Sequence, residues 1–322
     1  MAALRRLIVR APQAQKVDLR GRRMIVTGAA PGSIGFATAS TLASWGADVT
    51  VTTRSDPRLL AQALRAALPA GSGEIDADTL DLADRSSVSR FADAYGSRHG
   101  RLDVLINNAG IHLDLLSQWR EPHQVDGAEI HWRTNYLGTM QLTDVLLPLL
   151  LEAGGRSGDA RIVNVVSMLH ARGRNAFLFA PIAPYDSWVA YGTSKLALMH
   201  ASFELQRHHA GAGLQAYCLH PGAVFSNIAT RGLAGNPRLE AIRHRFAPVE
   251  RYFLLTAEEG AQTSIHCATK PALGGGRYFR RCAPAMTGAE AGNRQVAARL
   301  WDQTQAWMAG AAEQPARSVS GR

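Results

Sequence analysis

The chain has 322 residues, of which 46% are hydrophobic, and carries a formal net charge of +9. This length is enough to bury one large core. The longest apolar run, residues 145–151, contains Pro148 and is far shorter than the roughly 20 residues that a membrane-spanning helix needs. Three widely spaced cysteines, Cys218, Cys267 and Cys282, fit neither a disulfide framework nor a metal site, and we expect a reducing, cytoplasmic location.

The positive charge does not indicate nucleic-acid binding. The 32 arginines are scattered along the chain without a long basic run, whereas a nucleic-acid site needs cations clustered on one face. The amino-terminal residues 1–17 contain too short an apolar stretch for a secretory signal, and we expect them to form a solvated arm. With nucleic acid disfavoured, we expect the binding partner to be a small molecule.

Short, β-branched apolar runs alternate with segments of helical period, a pattern typical of βαβ units and a parallel sheet. The predicted strands are residues 23–27, 48–53, part of 75–82, 103–107, 161–167, 214–220 and 277–279. The predicted helices follow Gly35 and then occupy 59–68, 86–98, much of 125–152, 191–209, 257–268 and 289–308. The sequence therefore predicts one α/β domain, residues 18–310, with a doubly wound parallel sheet of about seven strands, followed by a disordered tail at 311–322.

A glycine-rich turn, residues 27–35, joins the first predicted strand to the first helix. Glycines at this point let backbone N–H groups approach a pyrophosphate at a helix N-terminus. The location predicts a dinucleotide site. Its candidate residues are Gly28, Ala30, Gly32, Ser33, Ile34 and Gly35.

The second predicted strand ends in Thr53-Arg54-Ser55, with no carboxylate nearby. An acidic residue there would bind the ribose 2′-hydroxyl of NAD and repel a 2′-phosphate, whereas Arg54 can form charge-assisted hydrogen bonds to that phosphate. Arg54 and Ser55 therefore favour NADP(H) over NAD(H). After the third strand, Asp81 and Leu82 could place a carboxylate near the adenine amino group.

Tyr191 and Lys195 would lie side by side on one helix face, because residues four apart are neighbours on a helix. A nearby cation favours the phenolate, so the spacing predicts a lowered pKa for Tyr191, which suits a proton-transferring tyrosine. Lysine occurs elsewhere only at positions 16 and 270. The spacing alone also fits an ordinary solvated pair, so the other motifs decide its meaning.

With residues 107–110 (Asn-Asn-Ala-Gly), Asn135, Ser167 and Pro221-Gly222, these motifs resemble the short-chain dehydrogenase/reductase family of the single-domain type over about residues 18–310. Three later segments, 258–263, 276–279 and 299–301, are similar to the retinol-dehydrogenase-like and WW-domain-oxidoreductase-like branch. The resemblance implies a Rossmann fold and an oxidoreductase that binds a nicotinamide cofactor.

The resemblance also implies roles for four residues. Tyr191 would donate a proton to a carbonyl oxygen, or accept one from an alcohol in the reverse direction. Ser167 would hydrogen-bond that oxygen, and Lys195 would lower the tyrosine pKa and contact the cofactor ribose. Asn135 would hold a water that links Lys195 to solvent. No metal site is expected.

Further cofactor contacts follow from the same resemblance. They are Asn108, Ala109 and Gly110 after the fourth strand, Pro221, Gly222 and Val224 after the sixth, and Tyr191 and Lys195 themselves. The glycine turn is one residue longer than is usual for this type, which leaves its phosphate contacts open. An insertion at about 168–190 separates Ser167 from Tyr191.

Two loops, 168–190 and 223–256, are expected to line a substrate site, because ligands bind beyond the carboxyl ends of parallel strands. The candidate contacts are His112, Leu169, His170, Phe177, Trp188 and Phe225. Further aromatic residues of these loops are Phe179, Tyr185, Phe246, Tyr252 and Phe253. Each aromatic could equally pack in the core or against a second subunit. The set nevertheless suggests a fairly bulky, apolar substrate.

The sequence thus predicts an NADP(H)-dependent enzyme that reduces a ketone or aldehyde, or oxidises the matching secondary alcohol. One alternative is an extended-type relative acting on a sugar nucleotide. Another is a non-catalytic NADP(H)-binding sensor or scaffold on the same fold. Substrate identity, stereochemistry, direction and the choice between monomer and homo-oligomer stay open.

Overall fold

The computed structural model describes residues 12–224 and 254–312. Its strands are β1 (Arg23–Val26), β2 (Asp48–Thr53), β3 (Ile75–Thr79), β4 (Val104–Asn107), β5 (Gln124–Val125), β6 (Ala128–Glu129), β7 (Ala160–Val165), β8 (Leu214–His220), β9 (Arg277–Arg280) and β10 (Ala283–Pro284). Its α-helices are α1 (Ile34–Ser44), α2 (Pro57–Ala66), α3 (Arg85–His99), α4 (Gly138–Ser157), α5 (Ser187–His209), α6 (Ala257–Thr269) and α7 (Arg294–Ala312). No helix in these two described ranges is long and apolar enough to cross a membrane.

The main sheet has the strand order β10-β9-β8-β7-β4-β1-β2-β3. All neighbours pair in parallel except β10, a two-residue antiparallel strand at the edge. The seven parallel strands confirm the predicted doubly wound sheet, and β10 accounts for the eighth. The chain reverses direction across the sheet between β1 and β4, which is where ligands bind in such folds.

Successive side chains along a strand point to opposite faces of the sheet, so a hydrophobic core forms on each face. Met24 and Val26 of β1 pack in the cluster that contains Leu42 of α1. Ile25, between them, packs on the opposite face with Phe91 of α3. Burial on both faces explains why the strands read as continuous apolar runs.

The segment predicted as one helix, 125–152, contains three structures. Asp126 and Gly127 both have positive φ values and close the β5–β6 hairpin, as an Asp-Gly pair favours in a two-residue turn. A π-helical turn, Trp132–Leu137, then leads into α4. Asn135 therefore lies in a π turn, a feature frequent at functional sites.

Capping side chains set two boundaries that sequence periodicity missed. The Asp186 carboxylate accepts hydrogen bonds from the backbone N–H groups of Trp188 and Val189, so α5 begins at Ser187 and Trp188 belongs to the helix instead of the insertion. Strand β7 ends at Val165, and Ser167 caps a 3₁₀ turn.

Both ends of the domain also differ from expectation. Within the predicted solvated arm, Ala14 and Val17 pack against the core cluster that contains Leu42. The Ala14 N–H donates a hydrogen bond of 2.9 Å to Gln262 of α6. At the other end α7 begins at Arg294, because Asn293 accepts a hydrogen bond from the Val296 N–H, and it continues to Ala312.

Gly138 starts α4 against the turn that follows β3. A Cβ at this position would overlap the backbone carbonyl oxygen of Leu82, and backbone cannot swing aside. We expect Gly138→Ala to destabilise the protein by about 1–3 kcal/mol, the usual cost of overpacking. Gly155→Ala in the same helix is the matched control, because its Cβ would meet nothing within 4 Å, and urea denaturation should show stabilisation or no change. Equal behaviour of the two variants would contradict this account.

Candidate active site

The predicted site residues gather at the carboxyl edge of the sheet, beside the switch between β1 and β4. Thr27 and Gly28 follow β1, Asn108 follows β4, and Ser167 follows β7 shortly after its end. The backbone amides of Gly28 and Ala29 donate to Thr52 of β2. Neighbouring strand ends thus bring together segments that are far apart in the chain.

The glycine turn is built for close backbone packing. Gly28 has a φ of 71°, and a Cβ there would lie 2.8 Å from the Ala109 Cα. A Cβ on Gly35 would lie 2.5 Å from the Asn108 side-chain nitrogen. Gly32, with a φ of 74°, faces open space, and Ser33 caps α1 by accepting from the Phe36 N–H. The lengthened turn therefore ends at the capped N-terminus of α1, the kind of position at which a pyrophosphate can bind.

The Asn-Asn-Ala-Gly segment is tied to this turn by Thr27 and Asn108. The Thr27 hydroxyl accepts the backbone N–H groups of Asn108 and Ala109 at 3.0 and 2.9 Å. The Asn108 amide in turn donates to the Thr27 carbonyl at 2.8 Å. Asn107, by contrast, donates to Thr143 and to Asn164, so it braces the interior of the sheet.

Gly110 lies between Lys195 and Asn135. A Cβ at Gly110 would be 3.1 Å from the Lys195 Nζ and 3.2 Å from the Asn135 Oδ1. The Asn135 side chain also pairs with the backbone of Ile111, accepting its N–H at 2.8 Å and donating to its carbonyl at 2.9 Å. The asparagine therefore fixes the segment that follows β4.

Tyr191 and Lys195 lie on α5 and are both almost fully buried. Burial raises the pKa of Tyr191 to about 12, and a hydrogen bond from the Ser167 hydroxyl opposes that rise. The Lys195 Nζ donates to the Val165 carbonyl at 3.0 Å and lies 5.9 Å from the centre of the tyrosine ring. The predicted lowering of the Tyr191 pKa is thus wrong for this state, because the cost of burying phenolate exceeds the attraction of an ammonium held by Val165.

A family model described as short chain dehydrogenase matches residues 22–234, more than half of the chain. The chain belongs to the short-chain dehydrogenase family. It is 35% identical to human retinol dehydrogenase 11 over 289 residues, which cover 89% of this chain and 85% of the relative. It is 37% identical to a probable oxidoreductase of Streptomyces antibioticus, covering 89% and 97% of the two chains. The matches to retinol dehydrogenases confirm that it is an oxidoreductase of that branch.

Solved structures agree with the fold of this dehydrogenase. An uncharacterized protein from Mycobacterium paratuberculosis is 31% identical with a TM-score of 0.67, over 92% of this chain and 98% of the other. The RhlG/NADP active-site complex of Pseudomonas aeruginosa is 28% identical with a TM-score of 0.61, over 81% and 95% of the two chains. An NADH-dependent reductase complexed with NAD, 23% identical with a TM-score of 0.58, shares the fold.

The polar residues predicted to contact the adenine end of a cofactor lie after β2 and β3. Arg54 and Ser55 are exposed at the end of β2, next to the glycine turn. The Asp81 carboxylate accepts the Ala83 N–H at 2.9 Å, which keeps it in the turn after β3. The Leu82 carbonyl accepts a hydrogen bond from the buried Arg133, so this turn is braced from behind.

The turn after β8 contains the predicted cofactor contacts Gly222 and Val224. Gly222 has a φ of 96°, the left-handed region that favours glycine. Val224 bridges to Leu255, and a Cβ on Gly260 of α6 would meet both Val224 and Ile34. The predicted contacts Val224 and Ile34 therefore converge on one patch of α6.

The predicted substrate residues divide into two groups. His112 is 4% exposed and stacks face to face on the Tyr191 ring, with centroids 4.2 Å apart, while its edge contacts Trp188 at 4.6 Å. His170 instead donates to the Ser167 carbonyl and contacts Tyr278. The Leu169 carbonyl packs against Gly192 of α5, and Phe177 is half-buried in a 3₁₀ turn.

The remaining aromatic candidates lie elsewhere. Phe225, Phe246, Tyr252 and Phe253 fall outside the described residues. Phe179 packs in a core cluster under the Arg299 guanidinium. That side chain is therefore structural.

Sequence reasoning missed a buried pair behind His112. His131 is fully buried and contacts both His112 and Tyr191, and Glu129 is its hydrogen-bond partner. His131 precedes Asn135 by four residues, so its helical position could have placed it on the same face. Neither residue has a motif that distinguishes it from an ordinary polar side chain.

Proposed function

We propose that this dehydrogenase is an NADP(H)-dependent carbonyl reductase that acts on a fairly bulky, apolar ketone or aldehyde. The observation that carries the proposal is the group formed by Tyr191, Ser167 and Lys195 beside a phosphate-binding turn. The Ser167 hydroxyl hydrogen-bonds Tyr191, which lowers the pKa of the tyrosine against the effect of burial. Lys195 and Asn135 flank Gly110 on the cofactor side.

The protein's part in the reaction is to hold and move one proton. Because burial raises the Tyr191 pKa to about 12, the phenol is protonated at neutral pH and can donate to a substrate carbonyl oxygen. Ser167 hydrogen-bonds the same oxygen and stabilises its developing negative charge. Reduction uses the protonated phenol, whereas the reverse oxidation would need the phenolate.

A bound nicotinamide cofactor supplies the hydride. The residues present fit such a group. Gly28 and Gly35 leave no room for a Cβ, and Ser33 orients the N-terminus of α1 towards the open side. Lys195, buried behind Gly110, would contact the nicotinamide ribose.

We expect Arg54 to set the preference for NADPH. Arg54→Gln should raise KM for NADPH by about 10-fold or more, the worth of hydrogen bonds to a charged group, and should leave KM for NADH nearly unchanged. Arg58→Gln, an exposed arginine four residues later, is the matched control and should alter neither. An equal effect of Arg54→Gln on both cofactors would show that Arg54 does not read the 2′-phosphate.

Exposed apolar side chains close in sequence to Ser167 and His112 support the substrate class. Met168 is 53% exposed and Leu116 is 39% exposed, and the indole of Trp188 donates to the neighbouring Leu115 carbonyl. The relatives named retinol dehydrogenases argue for including retinoids among the substrates tested. We also propose a cytoplasmic location, which the free thiols of Cys218 and Cys267 suit.

The decisive experiment is an NADPH-oxidation screen over aromatic, steroidal, retinoid and aliphatic carbonyls, with Tyr191→Phe as the blank. We expect turnover of at least one bulky apolar carbonyl by the wild-type protein and none above background by the variant. NADPH binding without turnover across the panel would favour the non-catalytic alternative.

A further inference from the structure

Behind the proposed active site, the Glu129 carboxylate collects three hydrogen bonds. It accepts from His131 Nδ1 at 2.7 Å, from the Trp132 backbone N–H at 2.8 Å and from the Tyr185 hydroxyl at 3.0 Å. Burial alone would raise the Glu129 pKa, but the hydrogen bonds led by that from His131 bring it below its ordinary value. Glu129 is therefore an ionised, mostly buried acceptor.

The partners of His131 determine its tautomer. Its Nε2 accepts the backbone N–H of Leu113 at 2.9 Å, which requires a free lone pair on that nitrogen. The ring proton must then lie on Nδ1, where it is donated to Glu129. One nitrogen of His131 thus binds the chain after β4, and the other binds the Glu129 carboxylate.

The chain on either side of His112 is held at further points. Asn135 binds both backbone groups of Ile111, and the Ser187 hydroxyl donates to the Asp114 carbonyl at 2.8 Å. Ser187 is the first residue of α5, one turn before Tyr191. Residues 111–114 are therefore tied both to the π turn and to the helix that carries the tyrosine.

His112 is the side chain that this arrangement presents to Tyr191. The two rings are nearly parallel, at 12°, with centroids 4.2 Å apart. Burial lowers the His112 pKa to about 3, so the ring is neutral and stacks without a competing charge. Trp188 contacts the His112 ring in a T-shaped arrangement, with an interplanar angle of 87°. The phenol consequently has one face fixed before any substrate arrives.

We propose that Glu129, His131 and His112 are positioning residues: the Glu129–His131 pair holds residues 111–114 so that the His112 ring fixes the orientation of the Tyr191 phenol. This rests on the proposed function, in which Tyr191 transfers the proton. Misplacing a reacting group by about 1 Å can cost about 100-fold in rate. We therefore expect substitutions of these three residues to change the rate of turnover and to leave the affinity for the cofactor unchanged.

A pair of His131 variants tests whether the bond from the Leu113 N–H to His131 positions the active site. The amide of Gln reaches about as far as Nε2, so His131→Gln can still accept from the Leu113 N–H, whereas the shorter His131→Asn cannot. We expect His131→Asn to lower kcat about 100-fold with unchanged KM for NADPH, and His131→Gln, which keeps the bond from Leu113 but loses the donation to Glu129, to lower it only about 10-fold. Equal losses in both variants, or a change confined to KM, would overturn the proposal.

Glu129→Gln tests the acceptor. It cannot accept from His131, Trp132 and Tyr185 together, so kcat should fall by about 10-fold. Glu121→Gln is the matched control, because Glu121 is exposed shortly before the β5–β6 hairpin that carries Glu129, and it should turn over like the wild type. A Glu129→Gln variant with full kcat would contradict the role of the carboxylate.

His112 variants separate positioning from chemistry. His112→Phe keeps a flat ring and should retain most of the turnover, whereas His112→Ala removes the ring and should lower kcat about 10- to 100-fold. If both variants lose activity equally, the imidazole nitrogens act on the substrate, and the positioning proposal fails.

A spectroscopic measurement keeps the inference distinct from the proposed function. The ¹⁵N NMR spectrum of the wild-type protein should show His131 with its proton on Nδ1, and Glu129→Gln should abolish that single tautomer. This measurement needs no turnover, so it tests the positioning proposal even if the protein reduces none of the carbonyls in the screen. A wild-type His131 that is protonated on Nε2 would overturn the proposal on its own.

Discussion

Tyr191→Phe is expected to lower kcat for NADPH-dependent reduction by about 10²- to 10⁴-fold, the usual contribution of a positioned proton donor. The change removes one oxygen atom and keeps the ring that stacks on His112 at 4.2 Å. Packing on α5 and the cofactor cradle should therefore survive. Steady-state kcat and NADPH affinity, measured by the fluorescence of the bound cofactor, would show a loss in turnover alone.

The matched control is Tyr217→Phe. Tyr217 is a buried tyrosine of β8 in the first core cluster, edge-on to Phe279, so this variant makes the same chemical change in the core. Its kcat should stay within a few-fold of wild type. Full turnover by Tyr191→Phe would exclude the phenol as the proton donor and leave the cofactor-binding scaffold as the better interpretation.

The fold was predictable because local signals and burial agree along most of the chain. Strand β8 was predicted at its observed bounds, since residues 214–220 are apolar and end at Pro221. The prediction of a helix over much of 125–152 is wrong at its start, where Asp126-Gly127, a strong hairpin signal, closes the β5–β6 hairpin and Trp132–Leu137 forms a π turn.

The sequence predicts which residues gather at the site, but it does not predict their pKa values. The spacing of Tyr191 and Lys195 gives their shared helix, and the strand ends bring Ser167 and Gly110 to them. Spacing cannot give burial, however, and burial decides the direction of the Tyr191 pKa. Nor can it identify Glu129 and His131, whose importance comes from contacts across the fold.

Lys195→Met is expected to lower kcat by about 10²-fold or more, since it removes the fixed cation of the proposed site. In the wild type, burial lowers the Lys195 pKa to about 8, so the ammonium is present at neutral pH and is lost at higher pH. The profile of kcat/KM for NADPH, which reports the free enzyme, should therefore be level at neutral pH and fall with a midpoint at about pH 8.

Lys195→Arg separates this ionisation from that of the tyrosine. An arginine keeps its charge throughout the range, so any activity that this variant retains should decline only as Tyr191, with a pKa of about 12, begins to ionise. An alkaline limb that stays near pH 8 in Lys195→Arg would assign it to another group.

Lys195→Met is expected to lower activity and yet to raise the stability of the fold, because burial also lowers the pKa of Lys195. The folded-state pKa of Lys195 lies below its ordinary value of 10.5, so folding disfavours the charged form, and this penalty is fully present below about pH 8. Replacing the ammonium by a methionine side chain removes the penalty, although the Val165 carbonyl loses its partner. We expect a higher Tm than wild type at neutral pH, with the gap narrowing as pH rises towards 10.5 and unfolded lysine also loses its proton. A gap that widens with pH would mean that the buried lysine stabilises the fold, and that its charge is compensated within the protein.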